Sequence, residues 1–209
     1  MSRSMQHWNG HLLCAIDTET SGLDPFFHEI LQICILPLDS NIEPVRDVMP
    51  FYINLIPEYP ERAEPEALKK NKLSLTHLAA NGFDKIMAID MFEEWIVKLN
   101  LPCTKFGTPK QLMPLGQNYS FDKPFIMNWL GPSVYNQYFN YHHHDTMVTA
   151  HYLNDRAAYH CEKVPFSKTN LAWLCHTLNV KVERAHDALS DCLSVAGCYR
   201  EMLKRGTIG

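Results

Sequence analysis

No two of the seven cysteines in this 209-residue chain have CxxC spacing, and their number is odd. A structural zinc site or a disulfide framework is therefore not expected. Most of them, at positions 14, 34, 103, 161, 175, 192 and 198, sit in apolar stretches and read as small core residues, which suits a reducing compartment. No apolar run approaches the length of a membrane span; the longest, Ile30 to Leu38, has the size of a buried strand. Met1 to His11 lacks the apolar h-region of a signal peptide, so a cytoplasmic location and no membrane partner are expected. A basic excess is missing too. The net charge of −4 argues against a protein that grips nucleic acid mainly through a basic surface. It leaves open a cleft of carboxylates around metal ions, whose charge corrects the site locally. There is no internal repeat, no low-complexity segment and no dividing linker.

What is present reads as α/β. With 46% apolar and 20% charged residues the composition is that of a globular domain able to bury a sizeable core. Leu12 to Ile16 reads as a strand ending in the turn-rich Asp17-Thr-Glu-Thr-Ser-Gly22. Ile30 to Leu38 and Pro50 to Leu55 follow as strands, so the first 55 residues predict a meander. Pro65 opens a short charged helix through Lys72, and Ser74 caps another ending at Asn81-Gly82. Asp84 to Leu99 predicts an amphipathic helix whose apolar positions include Ile86, Met87, Ile89, Phe92, Trp95, Ile96 and Leu99. Leu112 to Leu115 is a fourth strand, followed by a helix from about Phe121 to Leu130. Tyr138 to His143 is a short strand. Helices follow at about Thr146 to Tyr159, Asn170 to Leu178 and Ala188 to Lys204. Strands first, then strands alternating with helices, imply a sheet covered by helices.

Three groups of residues carry chemistry. Asp17 and Glu19, two apart at a strand end, point to one face. Their repulsion is costly unless a cation lies between them, and hard divalent ions such as Mg²⁺ and Mn²⁺ take carboxylate oxygens; alone, Asp-x-Glu is a common chance pair. Asp122 follows a strand and opens a helix, at the strand ends where open sheets gather ligands, though it could serve the helix dipole instead. Asp191 lies inside the last helix. An ideal helix turns through roughly 500° over five residues, so His186 converges on Asp191 only from the loop before it, with Asp187 as N-cap. A histidine on such a loop suits a general base.

Together, in this chain order, Asp-x-Glu, Asn-x₃-Asp and His-x-Ala-x-x-Asp resemble the three exonuclease motifs of the DnaQ-like superfamily. Asp17 to Gly22 is similar to the first, Asn118, Phe121 and Asp122 to the second, and His186, Ala188 and Asp191 to the third. The histidine points to the DEDDh subgroup. The resemblance covers about Leu12 to Leu203, so residues 1–209 are expected to form one exonuclease domain. It implies an RNase H-like fold with a five-stranded mixed sheet flanked by helices. It implies two divalent ions, Mg²⁺ or Mn²⁺, one held by Asp17, Glu19 and Asp191 and the second bridged by Asp17, with support from Asp122. His186 then takes the proton of the attacking water. It also places Thr18, Thr20, Leu23, Leu75, His77, Asn118 and Phe121 near substrate, and Asp145 as a helix cap or supporting group. Gln117 departs from the histidine or cysteine common at its position. The run His142 to His144 invites a metal reading, but side chains alternate along a strand and cannot all share one ion.

The expected activity is 3′→5′ hydrolysis of single-stranded nucleic acid with a free 3′ end, DNA ahead of RNA. The rival within the class is an exoribonuclease similar to RNase T or oligoribonuclease, in which Ser21 to Pro25 would be equally at home. A non-catalytic nucleic-acid-binding module would have lost a carboxylate. A polymerase proofreading subunit would need a partner-binding tail, and few residues follow the last helix, so a stand-alone enzyme is expected.

Overall fold

The computed structural model describes residues 10–183 and 186–206. The first apolar runs form three antiparallel strands, β1 (Leu12–Thr20), β2 (Ile30–Pro37) and β3 (Phe51–Asn54). Nearly every residue of β1 and β2 is buried, as in strands covered on both faces. β4 (Leu112–Gly116) and the two-residue β5 (His144–Asp145) add in parallel. The result is a five-stranded mixed sheet in the order β3-β2-β1-β4-β5. The helices are α1 (Pro65–Asn71), α2 (Leu75–Asn81), α3 (Lys85–Lys98), α4 (Tyr119–Leu130), α5 (Pro132–Tyr138), α6 (Thr146–Tyr159), α7 (Leu171–Leu178) and α8 (Ala188–Gly206). Ser74, Asp84, Asp145 and Asn170 each accept a first-turn N–H and so fix where α2, α3, α6 and α7 begin. No helix among the described residues is long and apolar enough to cross a membrane.

The two faces of the sheet differ. Leu12, Cys14 and Ile16 of β1 meet an aromatic layer that includes Phe51, Phe92, Trp129 and Phe139. Its rings pair at 5.6–6.1 Å between centroids, the spacing at which aromatic pairs gain beyond their area. Leu13 and Ala15 instead meet Ala188, Cys192, Val195 and Ala196 of α8. Small side chains let a helix approach closely, so α8 lies tight against the centre of the sheet.

Several expectations are corrected. On α3 the buried face is Ala88, Phe92 and Ile96. Ile86 and Met87 are 75% and 50% exposed, because Ile86 lies about 200° round the helix from Ala88. The helix expected from Phe121 begins at Tyr119, since Asn118 takes left-handed backbone (φ 62, ψ 50), which asparagine tolerates. The strand expected over Tyr138 to His143 is absent. Pro132 starts α5 instead, anchored by Tyr135, whose ring stacks on Phe139 at 4.8 Å. The Asn140 side chain then accepts the His142 N–H at 3.0 Å, turning the chain, so only His144 and Asp145 pair with β4. Histidines 142–144 form no ligand cluster among the described residues; His144 meets the Tyr199 hydroxyl at 3.0 Å. Five cysteines are buried, whereas Cys103 and Cys161 are exposed.

Candidate active site

β1 pairs with β4 only from Leu12 to Ala15, while its pairing with β2 continues to Thr20. Beyond Ala15 the β4 side of β1 is open, a crevice at the ends of parallel strands. Asp17 and Glu19 fall there. They continue the alternation of Leu13 and Ala15, so they belong to the face covered by α8. The register shifts between Glu19 and Thr20, and such irregularities re-aim neighbouring side chains. Gly22 follows because a Cβ there would run into the His28 ring at 2.4 Å. His28 Nδ1 accepts the Asp24 N–H at 3.1 Å, so Nε2 carries the proton that faces Glu64 at 3.4 Å.

Asp122, in the first turn of α4, reaches the same open edge. Its Oδ1 accepts both the Thr18 N–H at 3.0 Å and the Thr18 hydroxyl at 2.6 Å. The carboxylate thus takes a strand donor at the edge that β4 has left. Asp145 secures the start of this helix, accepting the Tyr119 N–H at 2.7 Å while its other oxygen caps α6.

α8 brings the fourth acid. Asp191 Oδ2 accepts the backbone N–H of His186 at 3.3 Å, and His186 has left-handed backbone (φ 63). Ligand atoms of Glu19, His186 and Asp191 lie within 4.8 Å of one another. A polar chain holds this end of α8. Asp187 accepts the Ser190 N–H at 3.1 Å as a cap and the Tyr52 hydroxyl of β3 at 2.8 Å. Gln32 of β2 accepts the Ala188 N–H at 2.9 Å and donates to Tyr52 and Asn54.

Burial dominates the electrostatics. It raises the Asp17 carboxyl well above the usual range, and Asp122, Glu19 and Asp191 raise it further. Burial and then Asp191 push Glu19 up to about 7. Burial raises Asp191 to about 6, opposed by the His186 N–H, and raises Asp122 against its two hydrogen bonds from Thr18. Four carboxyls that resist ionising together are a donor set suited to a hard divalent cation, which would offset their repulsion. Burial, then Lys70 and Lys72, hold His186 below its ordinary value, which favours the neutral imidazole.

The other residues singled out from the sequence are spread more widely. The Thr18 and Thr20 hydroxyls are committed to Asp122 and to the Gly22 carbonyl. Leu23 stands 73% exposed beside the acids in sequence. Asn118 accepts from Ser120, and Phe121 packs on Phe125 at 5.1 Å. Leu75 and His77 lie in the first turn of α2, and the His77 ring meets Asn81 at 3.3 Å. Sequence reasoning missed Gln32, Tyr52, Lys70 and Lys72, none of which has a spacing signature. The buried Asn71, which donates to the Thr20 carbonyl at 3.1 Å, and the Glu64 N–H, which donates to the Ser21 carbonyl at 2.7 Å, tie α1 and its lysines to the end of β1.

No family model matches the chain, and no curated protein matches it in sequence. In structure it is similar to E. coli exonuclease I in complex with a dT13 oligonucleotide (TM-score 0.67, 16% identity, 91% of this chain and 40% of that one). It is also similar to exonuclease I of Methylocaldum szegediense (0.70, 19%, 94% and 41%) and to cell-death related nuclease 4 (0.67, 18%, 96% and 66%). The chain has the RNase H-like fold of these nucleases. It spans about two-fifths of the length of the exonuclease I chains.

Proposed function

We propose that this chain is a metal-dependent 3′→5′ exonuclease that hydrolyses single-stranded nucleic acid, DNA ahead of RNA, and releases nucleoside monophosphates, with residues 1–209 acting as one domain. The observation that carries this reading is the meeting of Asp17, Glu19, Asp122 and Asp191 with His186 at the open end of β1. Asp17, Glu19 and Asp191 would hold one divalent ion and Asp17 a second, with Asp122 supporting both. Two such ions, Mg²⁺ or Mn²⁺, supply an activated water and stabilise the leaving oxygen. His186 accepts the proton of the attacking water at a ring nitrogen. Its position beside Glu19 and Asp191 would also let it ligate an ion, so ion affinity separates the two roles: a base can be removed without losing the ion. Glu19 and the backbone near Thr18 read the free 3′-OH, with Leu23 against the terminal base.

Exonuclease I of E. coli has been solved with dT13 and dA16 oligonucleotides, which supports DNA as the first substrate. The test is a matched digestion of labelled single-stranded DNA and RNA, linear and covalently closed, with Mg²⁺ and with Mn²⁺. Stepwise mononucleotide release from linear DNA, with closed circles surviving, is expected. Prompt cutting of purified circles would sink the exonuclease reading, and faster release from RNA would reverse the polymer preference.

A further inference from the structure

A cleft of about 330 Å³ opens outside the carboxylate crevice, a volume within the range of small-ligand sites. One wall is the loop after β1, Pro25 to Glu29; another is α4, through Phe125, Asn128 and Trp129; the rim carries Tyr59 and Arg62. None of the four acids lines it. It is nevertheless coupled to them through two elements. The loop continues directly from Asp17 to Gly22 and is pinned to α4 by the Asn128 amide, which donates to the Pro25 carbonyl at 2.6 Å. On α4, Phe125 and Trp129 follow Asp122 by one and two turns, roughly 5 and 10 Å along the axis.

The cleft carries aromatic rings and two cations, Arg62 and Lys85, together with the carboxylates of Glu29 and Glu58. Phe26 is 85% exposed and Phe27 50%. The Arg62 guanidinium lies 3.8 Å over the Tyr59 ring and 5.0 Å from the Phe27 ring. It forms no ion pair among the described residues, and neither does Lys85 on the same cleft. The Glu29 carboxylate is consumed by the Glu58 and Tyr59 N–H groups at 2.9 and 2.8 Å; these bonds also hold the Tyr59 ring in place. Flat rings and a stacked guanidinium beside an unpaired cation are what single-stranded nucleic acids use: bases stack, and phosphates meet the positive charge.

We infer that this cleft is a second nucleotide subsite, which takes a base and its phosphate from the same strand a few positions 5′ of the bond cleaved at the carboxylates. The inference rests on the exonuclease reading for which strand occupies it. The subsite would make binding depend on strand length, since a dinucleotide ends before reaching it.

The test compares wild type with Arg62→Ala and Phe26→Ala, whose side chains lie at the surface, using fluorescein-labelled DNA and RNA of two and twelve nucleotides. Affinity is read by anisotropy with chelator present, so that turnover plays no part, and hydrolysis is read separately with Mn²⁺. Each substitution is expected to weaken the twelve-mer about tenfold more than the dinucleotide, the loss of one stacked base or its charge partner. A loss confined to one polymer would support the subsite and name the strand it serves. Equal losses at both lengths, or none at either, would overturn it. A wild type that degrades linear DNA while both variants bind the twelve-mer unchanged would overturn the subsite alone. A wild type that binds the twelve-mer through Arg62 and Phe26 yet never degrades it would overturn the exonuclease reading and leave the subsite standing.

Discussion

The two halves of the acidic crevice are held by different means. Asp17, Glu19 and Asp122 are placed by backbone: a central strand paired as far as Thr20 and a carboxylate that takes the N–H of that strand. Asp191 rides on α8, while His186 and the start of that helix are held by side chains, through Gln32, Tyr52 and Asp187. A strand in the middle of a sheet cannot move without breaking its ladder. A loop tethered by a few polar contacts can be loosened by one substitution. The strand half therefore suits fixed ligands, and the loop half suits a group that must accept and release a proton.

The largest effect should come from the strand half. Asp17→Ala should abolish turnover, because removing the ligand proposed to face both ions forfeits several kcal/mol of charge stabilisation, on the order of a thousandfold in rate or more. Divalent-ion binding, followed by calorimetry, should weaken with it. Near-wild-type hydrolysis with Mn²⁺ would end the two-metal assignment.

The loop half should fail differently. His186→Ala should lose roughly 10²–10⁴-fold in rate while keeping its affinity for Mn²⁺ and for oligonucleotide. The wild-type rate should climb with pH and level off before neutrality, because burial and the two lysines hold His186 below its ordinary value. Ion affinity that collapses along with the rate would make His186 a ligand and not the base.

The same division decides what was legible in the sequence. Taken singly, Asp-x-Glu, Asp122 and the His186 to Asp191 segment each had an ordinary structural reading; only their chain order, which resembles three exonuclease motifs, singled them out together. The strand pairing of β1, β2 and β3 followed from their apolar runs. The strand expected at Tyr138 to His143 did not form, because Phe139 at the end of α5 stacks on Phe92 of α3 at 5.8 Å, a tertiary contact that local pattern cannot weigh. Gln32 looked like one polar residue in a buried strand. Its role depends on a bond to Ala188, 156 residues away. Lys70 and Lys72 read only as part of the short charged helix that Pro65 opens, since the groups they face are far off in sequence.

A gentler substitution should separate the halves. Tyr52→Phe removes the hydroxyl that donates to Asp187 and accepts from Gln32, a solvent-exposed link worth about 1 kcal/mol. Turnover should fall about tenfold with little change in KM, as for other groups that orient a site from behind. Asp17 and Glu19 are untouched, so ion binding should persist. Unchanged turnover in both Tyr52→Phe and Gln32→Ala would show that α8 holds its first turn without the network.

The effect that needs no substrate is on stability. Glu19 titrates at about 7 in the folded chain against about 4.3 unfolded, and Asp17 is raised as well. Between those values the folded state binds more protons than the unfolded state, so stability falls as pH rises. In chelator, the protein should be most stable near pH 5 and weaken steadily toward pH 7.5. The Glu19 shift alone corresponds to on the order of 3 kcal/mol, or roughly 6–12 °C in Tm for a chain of this size. Asp17→Asn should flatten the slope by removing a neighbouring charge, and Mn²⁺ added at pH 7.5 should restore much of the lost Tm in wild type, since a ligand bound only by the folded state stabilises it. His186 works in the opposite direction: its lowered value favours the folded state as it becomes neutral, so His186→Ala should steepen the decline slightly. A Tm that rises from pH 5 to 7.5 in chelator would mean that the strand acids are not crowded together, and the difference between the two halves would lose its electrostatic basis.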